Sequence, residues 1–199
     1  MLKLILGLAC CFATAEVRAG EILIEENQIG FCAVDGQVLT SVEGYTGSGY
    51  ADTDIGPDHS GSWSVSAASA GVHALVWRYG NGGGDLGYRP GRLVLNGEVA
   101  RESLSFPHTG DWTNWMETDT VWVEPAEGYN SIRLEALSAS GLGNIDYLKV
   151  AGADIAPASC VPIYVLEVGQ NDPRGIWPNI PIPLIRSRTY IFLFPQRSA

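Results

Sequence analysis

Between residues 20 and 150, short runs that alternate apolar and polar side chains recur roughly every eight to twelve residues, each closed by a cluster of turn formers. That rhythm constrains the fold more than any other feature. Val72–Tyr79 carries two apolar faces and reads as a central strand. Arg92–Asn96 leads into Asn96-Gly97, a hairpin signal, and Val99–Phe106 pairs back. Ser62–Ser66 and Met116–Val123 alternate as strands, and Glu21–Glu26 opens the series. No window long enough for a helix shows an apolar stripe at helical spacing. The lack of helical spacers speaks against a parallel α/β fold, and the 24 glycines and 11 prolines suit many turns. The expectation is an all-β sandwich of two antiparallel sheets.

The run Ile132–Val150 concentrates the chemistry. Ile132, Leu134 and Ala136 alternate with Arg133, Glu135 and Leu137. Ser138–Gly143 is a small, polar loop, and Asn144–Val150 returns as a strand. Period two places Leu148 and Val150 on one face and Ile145, Tyr147 and Lys149 on the other. Asp146 is a carboxylate in an apolar run, so it must be solvated, paired or metal-bound.

Residues 1–19 read as a secretory signal: Lys3, an apolar stretch Leu4–Ala15, and cleavage at Val17-Arg18-Ala19 or after Ala15. The apolar stretch is too short to span a bilayer, so no membrane association is expected of the mature form. A lipid-anchored Cys10 is a weaker alternative. Removing the signal leaves Cys32 and Cys160, which an oxidising compartment would join; two free thiols are the alternative. The expected location is secreted, extracellular or periplasmic. The folded domain is expected over 20–160. Residues 161–199 change character, with prolines at 162, 173, 178, 181, 183 and 195 in an apolar context. They read as a truncated linker or the start of a further domain. The formal charge of −10 argues against nucleic acid as a partner.

Five segments then resemble one known family. GYTGSGYADTD, WRYGNGG, RPGRLVLNG, SLSFPHTGDWTNW and NSIRLEALSASGLGNIDYLKV stand in the order found in carbohydrate-binding modules of families 6 and 35. FCAVDG and the late cysteine look like a family 35 subgroup attached to plant-cell-wall enzymes. The resemblance covers roughly residues 22–155. It implies a β-jelly-roll with a structural calcium near the first strand and a sugar site in the loops at one end. The calcium carboxylates fall on Glu26 (or Glu25) and Asp146. The family's two first-strand acids at i and i+2 are met by only one here, in either register, Ile24–Glu26 or Glu25–Asn27. By position, the sugar cleft matches Tyr45, Trp115 and Asn144, with Tyr50, Asn81 and Trp112 next in line. A pyranose packs its C–H face on an aromatic ring and needs directional partners for its hydroxyls. Of Trp112 and Trp115, one is expected in the core and Trp115 exposed. Trp63, Trp77 and Trp122 lie within strands and read as packing residues.

The resemblance implies non-catalytic binding that targets an exported enzyme to xylan, pectin or other uronic-acid polymers, or mannan. The module is expected to act as a monomer. The alternatives are a polysaccharide hydrolase or lyase in its own right and a protein-adhesion sandwich. Asp52, Asp54, Asp58, Asp111 and Asp119 could supply a carboxylate pair, yet none falls in a recognisable catalytic motif. His59, His73 and His108 lack metal-ligand spacing. Arg78, Arg89 or a bound cation would favour a uronic acid.

Overall fold

The computed structural model describes residues 19–83 and 88–160. The signal reading of 1–19 therefore lies almost wholly outside the described residues, and the reading of 161–199 wholly so. No helix among the described residues is long and apolar enough to cross a membrane.

Among the described residues, thirteen strands form two antiparallel sheets. The first sheet holds β1 (Ala19–Glu25), β3 (Gly36–Leu39), β4 (Tyr50–Thr53), β6 (His73–Gly80), β9 (Trp115–Glu117), β10 (Val121–Val123) and β12 (Asn144–Ala153). Its spatial order runs β10-β6-β12-β4-β3, with β1 also on β12 and β9 also on β6. The second sheet is β13 (Ile155–Pro157), β5 (Ser60–Ala67), β11 (Gly128–Ala136), β7 (Gly91–Leu95) and β8 (Glu98–Leu104), with β2 (Phe31–Val34) on β5.

Alternation decides which side chains meet between the sheets. Leu75, Trp77 and Tyr79 of β6 point inward against Trp63 and Val65 of β5 and Ile132 and Leu134 of β11. Trp63 and Trp77 meet edge-to-face across the gap, their centroids 6.2 Å apart. Neither indole N–H has a partner, so these rings hold their place through packing alone. β7 and β8 join at Asn96-Gly97, where both residues take positive φ (53° and 85°), as a two-residue type I′ turn requires.

Two expectations fail on the sheets. Trp122 does not pack in the core: it is 58% exposed, while its neighbours Val121 and Val123 are buried. A three-residue strand buries only one face, and Trp122 occupies the other. Strict alternation along Asn144–Val150 also fails. The pairing of β12 with β6 slips by one residue between Ile145 and Tyr147. The bulge lets Ile145 join Leu148 and Val150 in the core and leaves Asp146 fully buried beside them. Cys32, in β2, and Cys160, after β13, form a disulfide.

Candidate functional site

Asp146 is the hub of one end of the sandwich. The bulge turns its carboxylate toward the 44–49 loop between β3 and β4. There the Thr46 amide donates to Oδ1 at 2.8 Å and the Thr46 hydroxyl to Oδ2 at 3.2 Å. Arg78, on the outward face of β6, ion-pairs with the same Oδ2 and donates to the Gly44 carbonyl at 3.0 Å. The guanidinium carbon lies 5.6 Å from the Trp115 ring centre and 5.9 Å from that of Tyr147. Trp115 donates its indole N–H to the Glu43 carbonyl at 2.9 Å and packs on Tyr50, 5.4 Å between centroids. Tyr50 in turn meets Tyr45 at 5.8 Å. The acids and aromatics that the sequence suggested for two different tasks thus share one loop.

Glu26 follows β1 on the other flank of that loop. It is 1% exposed, and neither carboxylate oxygen has a hydrogen-bond partner. Burial, together with the nearby charges of Asp146 and Glu25, pushes its pKa up to about 8, although the backbone amides of Glu26 and Ala51 pull the other way. The Asp146 pKa is also raised, because burial outweighs the Thr46 and Arg78 bonds. Glu25 accepts from Gln28 at 3.2 Å. A Cβ on Gly47 would fall 2.3 Å from a Glu25 carboxylate oxygen, so the loop closes on β1 only because that residue is glycine at φ 63°.

This donor set fits a hard cation in part. Buried, unpartnered carboxylate oxygens are what calcium requires. Among the described residues, however, no three His, Cys, Asp or Glu side chains converge. Backbone carbonyls or water must complete any shell.

The remaining expected sugar contacts gather around Gly80, which pairs with Asn144 on one side and Trp115 on the other. A Cβ there would lie 3.0 Å from the Trp112 carbonyl and 3.5 Å from the Trp115 ring. Trp112 and Trp115 are both half-buried, so the expected split into one core and one exposed tryptophan does not hold. The Arg89 guanidinium carbon lies 5.2 Å from the Trp112 ring centre. Arg89 itself is anchored on the Ser140 and Leu142 carbonyls.

Tyr50 and Asn81 are buried, at 1% and 0% exposure. The Tyr50 hydroxyl bonds Ser41, and the Asn81 amide donates to the Phe106 carbonyl at 3.1 Å. Asn144 is nearly buried and makes no side-chain hydrogen bond among the described residues, which leaves its amide uncommitted. Sequence reasoning missed Thr46 as the clamp on Asp146. A threonine after a tyrosine in a turn-rich loop gives no sign of a partner a hundred residues away.

No family model matches the chain. Among curated proteins it is 40% identical over 140 residues to endo-1,4-beta-xylanase B of Cellvibrio japonicus (strain Ueda107), covering 70% of this chain and 23% of that enzyme. Alpha-L-arabinofuranosidase C of the same organism is also 40% identical, with 22% of its length covered. The chain therefore spans less than a quarter of these relatives. Among solved structures, the CBM35 of Cellvibrio japonicus Abf62 aligns with TM-score 0.68 and 39% identity over 71% of this chain and all of that one. A CBM35 solved with a glucuronic-acid-containing disaccharide aligns with TM-score 0.67 and 39% identity, over 70% of this chain and 99% of that one. With a solved module matched from end to end at that identity, the chain belongs to the family 35 carbohydrate-binding modules.

Proposed function

We propose that this domain binds plant-cell-wall polysaccharide without cleaving it, that glucuronic-acid-bearing xylan is its ligand, and that the loop end around Asn144 is the site. The observation that carries the reading is the aromatic run Trp115, Tyr50 and Tyr45, with Arg78 over the Trp115 ring, set beside Gly80, whose other strand partner is Asn144. A half-buried ring offers a flat apolar surface to the C–H face of a sugar, and an amide can both donate to and accept from its hydroxyls. Tyr50 and Asn81 hold these groups in place from beneath. Arg78 is already paired with Asp146, whereas Arg89 is held by the Ser140 and Leu142 carbonyls and keeps its positive charge at this end, which favours an acidic sugar there. The matched module solved with a glucuronic-acid disaccharide and the matched xylanase support the choice of ligand.

We further infer that calcium is the partner Glu26 lacks, held by Glu26 and Asp146 with Glu25 beside them. When bound, the ion would supply charge neutralisation for two buried carboxylates and tie β1 to β12. The protein is proposed to work outside the cell as a monomer; its disulfide suits an oxidising compartment.

The test is titration calorimetry of the full chain with the glucuronic-acid-containing disaccharide and with unsubstituted xylobiose, followed by a reducing-end assay on glucuronoxylan. Binding of the acidic sugar with no new reducing ends supports the proposal. Release of reducing ends, or no heat with any polysaccharide, overturns it.

A further inference from the structure

The outward face of β6 runs from the candidate cleft to the far end of the first sheet, and it carries a second exposed tryptophan. Odd-numbered residues of β6 fill the core, so Ala74, Val76, Arg78 and Gly80 face outward. Two short strands flank them along one edge. Trp115 pairs with Gly80, Glu117 with Arg78, and Trp122 with Ala74. Antiparallel Cα partners share a face. The two tryptophans therefore lie on the same outer surface, six residues apart along β6, which is about 20 Å at the strand rise.

The surface between them is polar and ordered. On the opposite flank Tyr147 pairs with Arg78 and Lys149 with Val76. The Glu117 carboxylate accepts from both the Tyr147 hydroxyl and the Lys149 ammonium, each at 2.7 Å. Beyond them Trp122 is 58% exposed and borders a groove of about 390 Å³ at the sandwich edge, whose other wall is Leu95, Ala100 and Arg101 of the second sheet, and Arg101 donates to the Trp122 carbonyl. The Trp122 ring is absent from the core cluster and leaves a flat apolar surface open to a ligand.

We propose that this face is a second subsite for the same polysaccharide, with Trp122 as its platform, so that the module grips a stretch of chain rather than a terminal sugar alone. The inference rests on the proposed sugar site, of which it is the continuation. A flat polar strip with aromatic platforms at its ends matches a linear glycan, whose rings alternate apolar faces with hydroxyls. A folded protein partner fits poorly: the apolar part is little more than one ring and Val72, far short of a stable interface. A second copy pairing edge to edge would find only the three residues of β10.

The experiment measures affinity of the full chain for glucuronic-acid-substituted xylo-oligosaccharides from disaccharide to octasaccharide. Wild type should bind the octasaccharide more tightly than the disaccharide. Trp122→Ala should leave the disaccharide affinity and the melting temperature unchanged and weaken the octasaccharide by roughly two- to tenfold. Trp115→Ala should weaken both. Equal affinity of wild type for all lengths overturns the subsite while leaving the loop site standing, as does a Trp122→Ala protein that binds the octasaccharide like wild type. Loss of disaccharide binding in Trp122→Ala, or a wild-type dimer that the substitution dissociates, also overturns it. No binding by wild type at any length overturns the loop site itself.

Discussion

Replacing Glu26 by glutamine should stabilise the metal-free protein and destabilise the calcium-loaded one. Glu26 is 1% exposed, with two unpartnered oxygens and a pKa of about 8 against an ordinary 4.5. Without metal at neutral pH, folding must therefore bring a proton to a group that the unfolded chain has already ionised. At pH 7 that uptake costs about 3 kcal/mol. The sign follows from proton counting: the folded state holds more protons, so metal-free stability falls as pH rises from about 4.5 to 8 and then levels off. Glutamine keeps the shape and cannot ionise. It still buries an unsatisfied amide, at about 1–3 kcal/mol, a penalty the protonated acid shares. In chelator at pH 7 that shared penalty cancels, and the variant should exceed wild type by about 3 kcal/mol. With calcium at a thousand times its dissociation constant, wild type gains about 4 kcal/mol that the variant largely forfeits. Urea unfolding in chelator and in calcium, at pH 5, 7 and 8, reads both orders. The reasoning is refuted if calcium fails to stabilise wild type, or if glutamine destabilises in chelator at pH 7 or above.

Two further outcomes test other parts of the account. The Cys32–Cys160 bond closes 128 residues, so the double serine variant should lose about 5 kcal/mol in the chain-entropy model, read as a lower urea midpoint; a loss under 1 kcal/mol contradicts that role. Trp77→Ala empties a fully buried site and should cost about 3–5 kcal/mol, whereas Trp115→Ala loses one hydrogen bond and an aromatic contact and should cost about 1–2 kcal/mol; equal losses in paired melts would undo the assignment of core and cleft.

The sandwich was legible because its signals are local. The Asn96-Gly97 hairpin and the strand at Val72–Tyr79 depend on neighbours in sequence, and the structure keeps the turn and places that strand inside its sheet, between β10 and β12. The failures come from tertiary pairing. The slip between Ile145 and Tyr147 is a property of two paired strands, and no periodicity within one of them announces it. Trp122 alternates with buried valines as any half-buried strand residue would, and alternation alone does not say which of the two faces the core takes. Asp146 was legible as a buried charge needing partners, but Thr46 and Arg78 are supplied by distant segments. Tyr50 and Asn81 lie in or beside turn-rich stretches, so sequence position gave no sign that both side chains are buried.

The central claim is that the loop end around Asn144 holds an acidic sugar and does no chemistry on it. The most direct measurement is calorimetric titration of the glucuronic-acid-containing disaccharide into wild type and Asn144→Ala side by side, with melting curves for both. The account predicts a saturable one-to-one isotherm for wild type and at least a tenfold loss for Asn144→Ala, because the substitution removes a buried hydrogen-bonding amide. The two melting temperatures should agree. Equal affinity in the two proteins would contradict the account.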